Sequence, residues 1–263
     1  MDFLPIISGM IGGAASSGVF KGPIQTLEDW WYVSFGHTMN EKAELLRTKQ
    51  QANIEAYKTN ILQEVSQIPP EQIKEPALNI LGPSLEASKY YIDDETIRKM
   101  FAKLISASMN INFNTSIHPS YVEIIKQMTP TDAVVLANIK SKNSRIAIAN
   151  ISINYSTGGS TNSFKNLYLG VDSPPNQKQI GFSLSNLFRL GILEISYSSW
   201  LNDEKHYDAF KETPEYKEVE NEISSRNSSL SFNNDSLRLS GPEIGKGLLE
   251  LTAFGINFSN ICL

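Results

Sequence analysis

Apolar residues recur at spacings of three and four between about residues 40 and 140, and alternate with polar residues beyond residue 145. The first spacing marks one face of a helix, the second a half-buried strand. The clearest helix start follows Tyr90-Tyr91. Asp94 can cap the first turn, Asp93 and Glu95 place negative charge at the positive end of the dipole, and Ile97, Met100, Phe101, Leu104, Ile105 and Met109 form one stripe. Arg98, Lys99 and Lys103 fall off that stripe and are expected in solvent. His118-Pro119 opens another helix, with Pro119 suited to a first helical position and Val122, Ile125 and Met128 on its apolar side. Thr129-Pro130-Thr131-Asp132 is a third start, with Thr129 as cap, Asp132 three residues on, and Val135, Leu136 and Ile139 buried. Leu78, Leu81, Leu85 and Ala87 predict a helix or a pair of turns broken at Gly82-Pro83. Upstream, Asn40 caps a helix expected to reach about Gln67 and to stop at Pro69-Pro70. Its stripe is thin (Leu46, Ile54, Tyr57, Ile61, Val65), and Glu44, Arg47, Lys49, Glu55, Lys58 and Glu64 coat the rest.

From Arg145 the period changes. Ile146 and Ile148 alternate, then Ile151, Ile153 and Tyr155 alternate in the opposite phase, which predicts a bulge or break near Ala149-Asn150. Ser156 to Ser160 is a loop, and Leu167, Leu169 and Val171 form a second alternating run, so the two runs read as a hairpin. After Pro174-Pro175, Ser183 is expected to cap a short helix with Leu184, Leu187 and Phe188 inward and Gly191 in the left-handed position past its end. Leu193, Ile195 and Tyr197 then alternate as a strand. Leu248 to Leu251 is a further strand ending at Thr252, which caps a last helix buried through Phe254, Phe258, Ile261 and Cys262. This order resembles the winged-helix pattern, with the helix from Thr129 as its first helix and Ser183 to Leu190 as its recognition helix. Trp200 to Leu239 would be an enlarged wing, with a helix from Thr213-Pro214-Glu215 (Tyr216, Val219, Ile223 inward) and strands at Leu230, Phe232, Leu237 and Leu239 around Asn233-Asn234-Asp235.

The central stretch also resembles the Abi-alpha (abortive infection alpha) family of bacterial proteins. The resemblance rests on Gly82-Pro83 with Leu85 to Tyr91, on Met100 to Ile105, on His118-Pro119-Ser120 with Ile124-Ile125-Lys126, and on Thr129 to Ala133. It runs from about Lys21 to Ile139 and is partial beyond. It implies a cytoplasmic bacterial protein acting in defence against phage; it carries over no catalytic residues.

Phe3 to Phe20 holds no charged residue. Asp2 rather than a basic residue precedes it, which is unlike a signal peptide, and Pro5 with the glycines weakens a spanning helix. Gly9, Gly13 and Ser17 lie four apart, a spacing that lets helices approach closely. The arm therefore reads either as a packed or self-associating strap, the reading favoured here, or as a membrane-contacting segment through Phe3, Leu4, Ile6 and Ile7, which would associate an otherwise cytoplasmic protein with the membrane. Trp30 and Trp31 are a candidate aromatic anchor, read first as core and second as an interface hot spot.

Composition narrows the function. A net charge of −5 and a pI near 5.3 disfavour broad nucleic-acid binding. The one cysteine, Cys262, excludes an internal disulfide and a multi-cysteine zinc site. His37, His118 and His206 share no ligand spacing with each other or with carboxylates, so no metal or cofactor is expected. Asp93-Asp94 is half of an acid/base pair or, more simply, a helix cap. Neither a Gly-x-Ser-x-Gly elbow nor a Walker loop appears, so the chain leans away from catalysis. Lys178, Gln179, Asn186 and Arg189 are the candidate contacts to a partner. Glu212, Glu215, Glu218, Glu220 and Glu222 in the wing weigh for a protein partner over DNA.

The fold expected is α+β: an arm at 1–20, a helical domain at 21–140, and a winged-helix-like α/β domain with strand insertions at 141–263, the helix from 129 being shared. The function expected is non-catalytic antiphage defence through a protein partner, self-association or membrane contact, with a winged-helix DNA-binding regulator as the alternative.

Overall fold

The computed structural model describes residues 25–27, 29–31, 44–142, 145–172, 175–229 and 238–263, with residues 44–50 described by backbone alone. The arm, the Asn40 cap and the expected strands at Leu230, Phe232 and Leu237 lie outside the described residues. The fold is α+β, helical in its N-terminal half with a four-stranded antiparallel sheet in its C-terminal half. The chain divides into two units, residues 1–133 with 257–263, and residues 134–256.

The first unit holds α1 (Glu44–Ser66), α2 (Leu78–Ser88), α3 (Glu95–Ser108) and α4 (Ser120–Lys126). Their starts are set by short-range hydrogen bonds. Asp94 accepts from the Ile97 amide at 2.9 Å and opens α3, whose Ile97, Met100, Phe101, Leu104 and Ile105 are buried. His118 Nδ1 accepts from the Ser120 amide at 3.2 Å and opens α4, with Pro119 at its N-cap. Thr129 and Asp132 bond reciprocally: the Asp132 amide donates to Thr129 Oγ1 at 3.2 Å, and the Thr129 amide to Asp132 Oδ2 at 2.7 Å. That box starts α5 (Pro130–Lys142). The core is built from Tyr57, Ile61 and Val65 on α1, Leu81 and Leu85 on α2, the α3 stripe, and Tyr121 on α4, which meets Phe258 edge-on at 5.2 Å.

Five expectations for this unit fail. Gly82-Pro83 does not break α2; Pro83 lies inside one continuous helix, because its φ suits a helix and its cost is limited to one lost backbone bond and local strain. Leu78, at the exposed start, is not part of the buried face. Arg98 is buried rather than solvated: Nη1 donates to the Ile92 carbonyl at 2.8 Å and Nε to Asn60 Oδ1 at 3.3 Å, so loop and side-chain oxygens replace water. Lys103 is half-buried, its ammonium on the Leu263 carbonyl, and Lys58 is buried as well. Their long stems extend the apolar faces beyond the stripe of apolar residues.

The second unit is organised by β1 (Ile146–Tyr155), β2 (Ser160–Leu167), β3 (Leu193–Ser196) and β4 (Leu239–Leu251), in the order β2-β1-β4-β3. Between β2 and β3 runs α6 (Gln177–Arg189); between β3 and β4 run α7 (Lys205–Asp208) and α8 (Pro214–Ser229); α9 (Ala253–Cys262) closes the chain. Ala149, Ile151 and Ile153 of β1 pack with Tyr207, Phe210, Val219 and Ile223 from the α7–α8 segment. Ile148 points the other way and is also buried. The phase change in the sequence therefore reflects a strand covered on both faces. The expected bulge is present in its pairing with β2, where register shifts between Ala149 and Ile151 and again before Ser152. The hairpin forms, but β2 occupies Ser160–Leu167 and stops where the second alternating run was expected to begin. The turn has Gly158 and Gly159 at φ +91.

Ser183 does not cap α6. Asn176 accepts from the Gln179 amide at 3.0 Å and Gln179 Oε1 accepts from the Asn176 amide at 3.0 Å, a complete capping box that starts the helix earlier and leaves Ser183 buried inside it. Leu184 and Leu187 point inward, whereas Phe188 is exposed. Gly191 takes φ +73 just past the helix end, as the sequence predicts. Thr252 Oγ1 accepts from the Gly255 amide at 2.8 Å and caps α9, and its hydroxyl donates to the Gly191 carbonyl at 2.6 Å. The approach is close: a Cβ on Gly255 would stand 2.0 Å from the Ile192 carbonyl oxygen. That oxygen is fixed, since it accepts the Thr252 amide at 3.0 Å. Gly255→Ala should therefore cost about 3 kcal/mol. The check is a fall in the urea midpoint at unchanged slope; a midpoint equal to wild type would show that the approach is looser than described.

Candidate partner-binding face

The outer side of α6 gathers what the sequence marked. The inward stripe Ile180, Leu184 and Leu187 fixes the rotation of the helix, so Lys178, Gln179, Phe182, Ser185 and Arg189 face outward, with Asn186 half-exposed beside them. Phe182 is 74% exposed and Phe188 51% exposed, neither of them predicted for the surface. All four candidate contacts thus share one helix. Asn186 Oδ1 is already engaged, accepting from Arg189 Nη2 at 2.7 Å and Nε at 3.2 Å, which holds the guanidinium along the helix.

Beside this face, α6 and β2 enclose a groove of about 380 Å³ lined by Phe164, Lys165, Asn166, Lys178 and Phe182 among others, with no carboxylate in its wall. The Lys178 ammonium stands 5.5 Å from the centre of the Phe164 ring. The groove offers cations and aromatic surface together. A basic, aromatic surface of this kind suits an acidic segment.

The floor of the groove was not legible in the sequence. Asn166, at φ 54, is the one non-glycine residue with positive φ among those described. Its amide donates to Asn150 Oδ1 at 3.0 Å, its Nδ2 to Ser185 Oγ at 3.1 Å, and its Oδ1 accepts from the Tyr197 hydroxyl at 2.8 Å. One side chain and its amide therefore tie the β1 bulge, α6 and the end of β3 together. An asparagine tolerates the left-handed conformation better than most residues, and that was the only available signal. At the head of α6, Gln177 clamps the Tyr168 backbone, accepting from its amide at 3.2 Å and donating to its carbonyl at 3.0 Å.

The other candidates lie elsewhere. In the first unit Trp30 rests over Gly82, where a Cβ would stand 2.8 Å from the ring, and Trp31 is 5.7 Å from Tyr57 between ring centres. Both rings are half-buried. Phe3, Leu4, Ile6, Ile7, Gly9, Gly13 and Ser17 are outside the described residues. Asp94 is the cap of α3 described above, His118 precedes the Pro119 N-cap of α4, and Asp93 accepts from Asn53 Nδ2 at 2.6 Å. Among the described residues no group of three His, Cys, Asp or Glu is placed to hold a metal, and no helix is long and apolar enough to cross a membrane.

The family model for abortive infection alpha matches residues 49–262. The chain belongs to the Abi-alpha family. The match begins later than the resemblance read from the sequence and takes in both units, including α6 and the sheet. No curated protein and no solved structure matches the chain.

Burial pushes the Tyr197 hydroxyl up to about 12, the bond with Asn166 offsetting part of the rise, and burial likewise pushes Tyr168 up to about 12. A phenol whose pKa is higher folded than unfolded stabilises fully below its unfolded value near 10 and loses that contribution as pH rises towards 12. Stability should therefore fall between pH 10 and 12, and Tyr197→Phe should shrink the fall. Urea midpoints across that range check it; a flat profile would contradict the buried placement of Tyr168 and the half-buried placement of Tyr197.

Proposed function

We propose that this Abi-alpha protein serves antiphage defence of the abortive-infection type by binding a protein partner through the outer face of α6 and its groove, without catalysis. The reading takes its role from family membership across both units. One observation carries its mechanism: Phe182 and Phe188 stand exposed on the same helix as Lys178 and Arg189, beside a groove free of carboxylates. Phenylalanine and arginine are both enriched at protein interfaces relative to the rest of the surface. The partner segment this face suits is acidic. Residues 3–20 would add self-association or membrane contact.

A winged-helix DNA regulator is the second reading. It is supported by the sheet order, in which β1, β4 and β3 are neighbours and α6 immediately precedes β3, and by the outward Lys178, Gln179, Asn186 and Arg189. Against it stand the net charge of −5, the engagement of Asn186 by Arg189, and two exposed phenylalanines where base-reading polar groups would be needed.

Cells expressing Lys178→Glu with Arg189→Glu should lose protection against phage by at least about tenfold, the scale of one hot-spot contact, at unchanged melting temperature. Full protection by that variant would sink the α6 mechanism, and no protection by the wild type across diverse phages would sink the defence role. Full protection after deletion of residues 3–20 would remove the membrane version. Salt-dependent duplex binding weakened by Arg189→Ala with Lys178→Ala would favour the regulator instead.

A further inference from the structure

A second concavity of the sheet unit lies away from α6. It spans about 400 Å³ between the end of α5, the start of β1 and α7, and its polar wall holds Lys142, Arg145, Lys205 and His206, with no carboxylate among the lining residues. Such a wall is conspicuous in a chain of net charge −5. Among the described residues, the side chains of Lys142, Lys205 and His206 have no acidic partner. Of the nearby acids, Glu204 is engaged by Lys246, Asp208 by Lys211 at 3.0 Å and Glu250 by Arg145 of the wall at 3.0 Å, while Asp203 accepts the Lys205 amide at 3.0 Å. The potential in the concavity is therefore positive, and only Arg145 is partly neutralised. Its floor is apolar and fixed. Ile146, Leu169 and Leu201 give it accessible apolar surface, backed by the buried Tyr168 and Phe210, and the Tyr168 hydroxyl is bound to Asn138. Cations at the rim over an apolar floor of this volume match a small ligand that is anionic at one end and apolar at the other.

We infer that this concavity binds a small organic phosphate monoester, the phosphate held by Lys142, Lys205 and His206 and the apolar body laid on Ile146, Leu169 and Leu201. Phosphate is the anion that this set of donors suits best, because a dianion can accept from two ammonium groups and an imidazole N–H at once. A free phosphate would leave the floor unused, and a neutral aromatic would leave the cations unused. The shared chemistry is the phosphate monoester; a nucleotide and a lipid-like alkyl phosphate are its two sources. The site is independent of the α6 face and does not depend on the function proposed for it.

Calorimetric titration of the full chain with phenyl phosphate, AMP, hexyl phosphate, inorganic phosphate and phenol tests the inference. Phenyl phosphate should bind at least about tenfold more tightly than inorganic phosphate or phenol, the worth of the missing half of the ligand. AMP binding above hexyl phosphate would point to a nucleotide, and the reverse to a lipid-like ester. Lys142→Glu with Lys205→Glu, both exposed and so expected to fold as shown by circular dichroism, should weaken phenyl phosphate by at least about tenfold. Lys178→Glu on the α6 face should leave it unchanged. The inference is overturned by the absence of binding at millimolar phenyl phosphate, by equal affinity for inorganic phosphate, or by unchanged affinity in the Lys142/Lys205 double variant.

Discussion

The sheet unit depends on burying β1 on both faces. A strand covered on both sides must be flanked by strands at each edge and by helices above and below, and here β2 and β4 supply the edges while the α7–α8 segment takes one face. Because β1 carries isoleucines in both phases, a one-residue slip would exchange two apolar faces and not be penalised by hydrophobicity alone. Register is fixed instead by polar contacts at the bulge, where Asn150 meets the Asn166 amide. The inner stripe of α6 then sets which side of that helix looks outward. The exposed aromatic and basic surface follows from how the central strand is locked.

Local signals were legible because each is an exchange of hydrogen bonds over three or four residues. Asp94, Thr129 with Asp132, and Thr252 cap helices where their spacing says they should. The misreading of Ser183 has the same physics. Asn176 and Gln179 form a stronger, reciprocal box that was passed over for a single serine, and the whole helix start moved with it. Arg98 and Lys58 were misplaced for a different reason: polar spacing says which residues lack apolar atoms at their tips, not which long stems lie along a core.

The candidate face was half legible. Lys178, Gln179, Asn186 and Arg189 sit together because a helix of known phase carries them, whereas the groove beside them needs β2, which the sequence placed several residues too late. The Asn166 network joins positions 150, 166, 185 and 197, and no local pattern links residues so far apart. The electropositive concavity was equally hidden. Its cations come from three separate segments, and its character depends on where Glu204, Asp208 and Glu250 turn. A net charge reports none of this, since acids paired with Lys246, Lys211 and Arg145 leave the remaining cations to set the local field.

The two rims of the sheet differ from its middle. β3 has four residues, and β2 presents Ser160, Thr161, Asn162, Ser163 and Lys165 in place of branched apolar side chains. A short rim and a hydrophilic, lysine-bearing rim are poor templates for a foreign strand. Neither edge thus offers the long apolar strand from which cross-β stacking grows.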